Sequence, residues 1–277
     1  MVKNEFPLVS VVIPAYNVEN TIIETIESVS AQSYRNVQTI VIDDGSTDNT
    51  LETVRTFISD KPSMVIYTKQ NEGLAATRNY GVQYVEGEYL LFLDGDDLID
   101  SEFIELCIAV CKSKPEVDIV TTQIQLFERE NRVYTNQPFS QKALLRENCF
   151  VITSLIRTSA FREIGMFDTT LKFHEDWDMW IRMTEKYNHV VNINRPLFWY
   201  RKRNLKNSLC DLNEQVNVSD HARAYIYYKY YQKYKDSNLG LLDFYNSVDK
   251  EAYYRRKYNN IWYRKLFYQF FKGKRLD

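Results

Sequence analysis

At 277 residues the chain has room for one large domain, or for one domain and an extension. Its 44% apolar and 26% charged residues exclude a disordered polymer, and its formal net charge of −2 gives no electrostatic ground for nucleic-acid binding. No run is long and apolar enough to span a bilayer, and the opening MVKNEFPLVSVVIP lacks a signal-peptide layout, so the expected location is cytoplasmic. The cysteines suit that compartment. Cys107 and Cys111 lie on one expected helix, Cys149 and Cys210 stand alone, and no spacing resembles a zinc site, so they read as small core residues.

The first half alternates strand-like and helix-like segments. Residues 8–13 are a β-branched run that Pro14 should stop, and 19–31 carry Ile22, Ile23, Ile26 and Val29 at helical spacing. Residues 37–42 read as a strand, 47–58 as a helix, 64–68 as a strand and 74–85 as a helix. Residues 89–93 form a continuous apolar run, the pattern of a strand covered on both faces. A helix is expected over 101–112 and a strand over 117–122, after which the pattern is ambiguous to about residue 170. Residues 177–187 read as an amphipathic helix, 190–193 and 197–200 as short strands, and everything after about residue 215 as helical. Short helices between apolar strands predict an α/β fold with a mainly parallel central sheet flanked by helices, and a helical C-terminal extension. The expected division is 1–212 for the sheet-bearing domain and 213–277 for the extension; of 21 tyrosines, twelve follow residue 220.

Open α/β sheets bind ligands beyond the carboxyl ends of their strands. Three such ends carry polar clusters: PAYN (14–17), DDGSTDNT (43–50) and DGDD (94–97). Five of the eight glycines lie between Gly45 and Gly95, which implies tight turns or close backbone approach to a ligand. Asp94, Asp96 and Asp97 crowd around Gly95, where like charges repel. Mg²⁺ or Mn²⁺ would relieve that repulsion, because such an ion takes one or two carboxylates and completes its shell with phosphate oxygens. A solvated acidic turn is the alternative. In DDGSTDNT, Asp44 is a candidate acceptor for a nucleobase imide or ribose hydroxyl, while Ser46 or Thr47 caps the next helix. In NEGLAATRNYG (71–81), Arg78 lies one turn into a helix, either reaching a diphosphate or solvated at the surface. FHEDWDMWIR (173–182) puts Glu175 and Asp176 at a helix start, where acids meet the dipole favourably. The preceding His174 and a loop containing Gly165 also suit a carboxylate held at a pocket wall as a general base.

Taken in order, VSVVIPAYN, IVIDDGSTDNT, NEGLAATRNYG, EYLLFLDGDD and EIGMFDTTLKFHEDWDMWIR resemble the family 2 glycosyltransferases of GT-A fold, over residues 7–203. The resemblance implies an inverting enzyme that moves a sugar from a nucleotide diphosphate-sugar, a UDP-sugar being favoured, to a hydroxyl of a glycan or lipid-linked acceptor, as in surface polysaccharide assembly. It implies that Pro14, Ala15 and Tyr16 line the base pocket, that Asp44 contacts the base and that Asp94 touches the ribose. Asp96 would bind Mn²⁺ or Mg²⁺, and Asp176 would be the catalytic base with Glu175 secondary. Asp97 extends the family's Asp-x-Asp pattern, so Asp96 and Asp97 both stand as metal candidates. The family often has a histidine after a Tyr-Arg pair; here Tyr200-Arg201 continues as KRNLKNS, leaving Arg201 and Arg203 as cations for the diphosphate.

Two rival readings exist. A sugar-nucleotide nucleotidyltransferase would need a glycine-rich basic phosphate loop after the first strand, where this chain has PAYNVENT. A non-catalytic nucleotide-sugar-binding protein would have no need of acids at all three motifs. With three histidines and neither a G-x-S-x-G nor a P-loop pattern, hydrolase triads and NTPase chemistry lack support. In residues 251–277, eight Lys/Arg against two acids interleave with Tyr253, Tyr254, Trp262, Tyr263, Phe267, Tyr268, Phe270 and Phe271. That composition suits peripheral contact with the inner face of an anionic membrane; a helix packed on the catalytic domain or on a partner subunit is the alternative.

Overall fold

Strand and helix alternate as the hydrophobic pattern predicts in a computed structural model that describes residues 6–203 and 218–241. The first half contains strands β1 (Val9–Ala15), β2 (Val37–Asp43), β3 (Met64–Thr68) and β4 (Tyr89–Phe92), with helices α1 (Ile22–Ser30), α2 (Thr50–Ile58) and α3 (Leu74–Val82) between them. Then come β5 (Leu98–Ile99), α4 (Phe103–Ser113), β6 (Ile119–Glu128), β7 (Arg132–Tyr134), α5 (Gln141–Arg146) and β8 (Leu155–Arg157). They are followed by α6 (Thr158–Glu163), α7 (Glu175–Lys186), β9 (Val190–Lys202), α8 (Val218–Lys229) and α9 (Tyr231–Asp236). The strands form one sheet in the order β3-β2-β1-β4-β8-β6-β9-β5, with β7 paired to β6. The long ladders, β1 with β2 and β4, β2 with β3, and β6 with β9, are parallel, whereas β5, β7 and β8 add short antiparallel ones. The sheet is thus mainly parallel, as its βαβ pattern requires.

Every residue of β1 and β4 is buried, which explains their unbroken apolar runs. Ile22, Ile26 and Val29 of α1 and Phe103, Ile104, Cys107 and Ile108 of α4 share a core with Val11, Ile13 and Leu91. Each such side chain contributes roughly 1.5–3 kcal/mol by leaving water. On α3, a Cβ at Gly81 would lie 2.5 Å from Val12 Cγ1 and 3.1 Å from Ile42 Cγ1, so only glycine lets this helix seat on β1 and β2. Cys107, Cys111 and Cys149 are buried free thiols, while Cys210 lies outside the described residues.

Pro14 does not stop β1, which runs on to Ala15. The Val12 carbonyl accepts the Leu93 N–H at 3.1 Å, so Pro14, two residues on, faces the same side beyond the end of β4. Its missing N–H therefore costs no ladder bond.

The chain divides into two compact units, Met1–Arg223 and Ala224–Asp277. In the second, the Tyr227 ring lies 4.6 Å from that of Tyr234 and 5.9 Å from that of Tyr231, centroid to centroid. The basic aromatic segment 251–277 lies outside the described residues. Among the described residues no helix is long and apolar enough to cross a membrane.

Candidate active site

Because β2, β1 and β4 are adjacent and parallel, the loops that follow them share one edge of the sheet. The first two loops are stitched together. Asn17, in the left-handed region at φ 51°, donates its N–H to Ser46 Oγ at 3.1 Å and accepts the Thr47 N–H on Oδ1 at 2.8 Å. Ser46 and Thr47 therefore do not cap the next helix. That helix starts at Thr50, whose N–H and hydroxyl donate to Asp48 Oδ1 at 2.9 and 2.6 Å. Pro14 and Ala15 are buried beside the exposed ring of Tyr16. Asp44 is buried and anchors the next loop: its carboxylate accepts Lys69 Nζ at 2.9 Å, the Glu72 N–H at 3.2 Å and the Gly73 N–H at 3.1 Å. This aims the start of α3 at the shared edge, with Gly73 at φ 94°, a conformation side-chain-bearing residues rarely adopt.

After β4 the three acids diverge. Gly95 turns the chain so tightly that a Cβ there would lie 3.0 Å from the Pro14 carbonyl and 3.2 Å from Ile22 Cδ1. Asp97 is buried and accepts the Arg201 N–H at 2.8 Å; burial, then the Asp96 and Asp94 charges, push its carboxyl well above the usual range. It pins β9 to the end of β4. Asp96 Oδ2 accepts from Arg203 Nε at 2.9 Å and Nη2 at 2.7 Å. Burial raises its carboxyl, and the neighbouring Asp94 charge raises it further against the pull of Arg203. Arg201 is buried and committed to protein partners: Nε donates to the Asp96 carbonyl at 2.6 Å, Nη2 to Glu24 at 2.5 Å and Nη1 to Glu128.

Arg78 is neither solvated nor at the surface. It is 2% exposed, with Nη2 donating to Asp94 Oδ1 and Nη1 to Glu175 Oε1, each at 2.6 Å. Its Nε is buried without a partner among the described residues. One guanidinium thus bridges the end of β4 and the first turn of α7.

The next residue of α7 is Asp176. Its Oδ2 accepts Asn148 Nδ2 at 2.8 Å and its Oδ1 accepts the Trp177 N–H at 2.8 Å. Burial and then the Glu175 charge push its carboxyl up to about 7, with Arg78 opposing. His174 caps the helix in the left-handed conformation at φ 60°, and its Nε2 lies 2.9 Å from Ser219 Oγ. Burial, then Arg223, lowers its pKa to about 4, so this imidazole is neutral.

The loop before α7 is held from two sides. Asn79, adjacent to Arg78, exchanges hydrogen bonds with the Phe167 backbone at 2.9 and 3.0 Å. Arg182 donates to Asp178 at 2.9 Å and to the Ile164 and Met166 carbonyls at 2.6 and 2.5 Å. The arrangement presents two carboxylates at a strand end and a third, poised near neutrality, on a facing helix. Two carboxylates so placed can share a divalent cation, and a carboxyl of raised pKa can take up a proton near neutral pH.

A profile of the Glycosyl transferase family 2 matches residues 10–229. The chain belongs to that family. An uncharacterized glycosyltransferase of Rickettsia typhi is 34% identical over 188 residues, which is 64% of this chain and 58% of the relative. The chain thus spans just over half the length of this relative. Among solved structures, S. aureus TarS 1–349 in complex with UDP-GlcNAc superposes with a TM-score of 0.63 at 23% identity, covering 71% of this chain and 59% of that 1–349 chain. A mannosyltransferase from Pyrobaculum calidifontis in complex with GDP-Man and Mn²⁺ gives 0.58 at 18% identity, covering 72% and 59%. The fold is therefore GT-A, as the motif order implied.

Within this family 2 chain, Asp94 and Glu175 meet through Arg78, and Asp176 follows Glu175 on α7. Pro14, Ala15, Tyr16 and Asp44 occupy the loops after β1 and β2. Arg201 and Arg203 come to the acid cluster, but as partners of its carboxylates and carbonyls. Sequence reasoning missed Lys69, Asn79, Asn148 and Arg182. Only Arg182 carried a signal, standing four residues after Asp178 on an expected helix.

Proposed function

We propose that this family 2 chain is an inverting, metal-dependent glycosyltransferase that moves a sugar from a UDP-sugar to an acceptor hydroxyl in glycan assembly. The observation that carries the reading is the Asp94–Arg78–Glu175 bridge, which ties a strand-end acid cluster to the helix bearing Asp176, a carboxyl raised to about 7. Asp176 takes the proton of the acceptor hydroxyl as its oxygen bonds to the anomeric carbon. The bond from that carbon to the diphosphate breaks, and the nucleoside diphosphate leaves with the electron pair. A single displacement inverts the configuration and needs no enzyme nucleophile.

Mn²⁺ or Mg²⁺ fits the residues present. Asp94 and Asp96 offer oxygen donors only, and their ion pairs with Arg78 and Arg203 engage Oδ1 of Asp94 and Oδ2 of Asp96, one oxygen of each carboxylate. These two would hold the ion, and donor phosphates would complete its shell, since among the described residues no three His, Cys, Asp or Glu side chains form a metal site. Once bound, the ion would supply charge stabilisation to the departing diphosphate. The buried Asp97 is better suited to holding β9 than to ligation. UDP-GlcNAc in TarS and GDP-Man with Mn²⁺ in the Pyrobaculum calidifontis enzyme support a nucleotide-sugar donor, and the first of them supports the UDP-sugar of this reading. The composition of residues 251–277, outside the described residues, supports peripheral contact with the inner membrane face, where lipid-linked acceptors lie.

Thermal shift across UDP- and GDP-sugars, with Mn²⁺ or with EDTA, tests the donor and metal. Stabilisation by at least one nucleotide-sugar that EDTA abolishes is expected, and unchanged binding in EDTA or in Asp96→Ala would sink the metal assignment. Transfer assays separate this reading from a nucleotidyltransferase, which would release pyrophosphate, and from a non-catalytic binder, which would turn nothing over.

A further inference from the structure

Asn148 lies between α5 and β8, in the stretch whose sequence pattern is ambiguous, and no motif contains it. Its side chain is fixed at both ends. Oδ1 accepts the Phe150 N–H at 3.1 Å, which sets the orientation of the amide, and Nδ2 donates to Asp176 Oδ2 at 2.8 Å. The other Asp176 oxygen takes the Trp177 N–H from its own helix. Each carboxylate oxygen thus has a donor, one from α7 and one from the segment between α5 and β8, 28 positions away. The α7 donor alone leaves the carboxylate held at one corner; the second, from outside α7, defines its plane.

We propose that Asn148 is a positioning residue for the base, holding the Asp176 carboxylate in one plane and favouring its ionised form. The proposal rests on the reading of Asp176 as the base. The charged groups facing Asp176 are Glu175 on its own helix, which disfavours ionisation, and Arg78 on α3, which favours it; His174 is neutral. Asn148 brings no charge, so it acts through its donor alone. A buried carboxylate that loses such a donor shifts toward its protonated form, and the proportion of active base at neutral pH falls with it.

The test needs no substrate. Full-length protein carrying ¹³C-carboxyl aspartate is titrated as wild type, Asn148→Ala and Asn148→Ser, with the Asp176 resonance assigned by its absence in Asp176→Asn. The wild-type midpoint is expected at about 7. In Asn148→Ala it should rise by about one to two pH units, the worth of a hydrogen bond to a charged group. Asn148→Ser, whose hydroxyl can still donate, should fall between the two. An unmoved midpoint in folded Asn148→Ala, or a midpoint in Asn148→Ser above that of Asn148→Ala, overturns the proposal. Near-normal transfer by Asp176→Asn would overturn the base reading itself, a result distinguishable from an unmoved midpoint.

Discussion

Asp176 sits where burial and the Glu175 charge outweigh Arg78, so its folded-state pKa is near 7 against about 3.9 in an unfolded chain. Between those values the folded state holds the proton more tightly, so this carboxyl's contribution to stability falls as pH rises from about 4 to 7. Removing the charge should therefore raise stability while removing function. Asp176→Asn should melt above wild type by a margin that widens with pH across that window, while transfer falls by roughly two to four orders of magnitude. In the wild type, transfer should drop about tenfold per pH unit below the Asp176 midpoint, which a pH profile of kcat reads directly. Arg78 presents the opposite case, a buried cation between two carboxylates. Arg78→Met should cost roughly 3–5 kcal/mol in urea unfolding, because it strands Asp94 and Glu175 without a partner. A second substitution, Glu175→Gln, should recover part of the loss by removing one stranded charge.

Helix α3 carries three tasks on one face and its neighbour: Gly81 seats it on the sheet, Arg78 bridges two acids, and Asn79 holds Phe167. Its position is set by backbone proximity at residue 81, so a single methyl there should disturb all three. Gly81→Ala should destabilise the protein by about 1–3 kcal/mol, the usual cost of overpacking. Opposite it, α7 depends on the loop that Arg182 holds through two carbonyls. Arg182→Met should speed amide hydrogen exchange over residues 164–173 while leaving exchange in β1 and β4 unchanged, since their ladders lie elsewhere in the sheet.

Across the whole first unit, the candidate site draws on loops after β1 and β2, the end of β4, two helices and β9. A nucleotide-sugar and a divalent ion bound there would bridge elements distant in sequence and stabilise the folded state. At a hundredfold excess over Kd the gain is about 2.7 kcal/mol, seen as a raised Tm that EDTA should cancel. The order of elements in this unit was legible because each rests on a local period, two for strands and 3.6 for helices. The short pieces β5, β7, β8, α5 and α6 were not, since two to six residues carry too little periodicity to announce themselves. Their strands are placed by neighbours distant in sequence: β5 pairs with β9, β7 with β6, and β8 joins β4 to β6.

The sequence by itself determined the βαβ order, the GT-A family pattern, and the placing of Asp44, Asp94 and Asp176 at strand or helix ends, all features encoded within a few residues. Only the tertiary structure decided what each charge faces. Asp96 and Asp97 are neighbours in sequence, yet one meets Arg203 while the other turns inward to the Arg201 backbone. Arg78 finds Glu175 across 97 positions, and Arg201 finds Glu24 across 177. The physical reason is that a charge's partner depends on which elements the core packs together, and in a buried setting that partner decides whether a carboxylate is a strut, a ligand or a base.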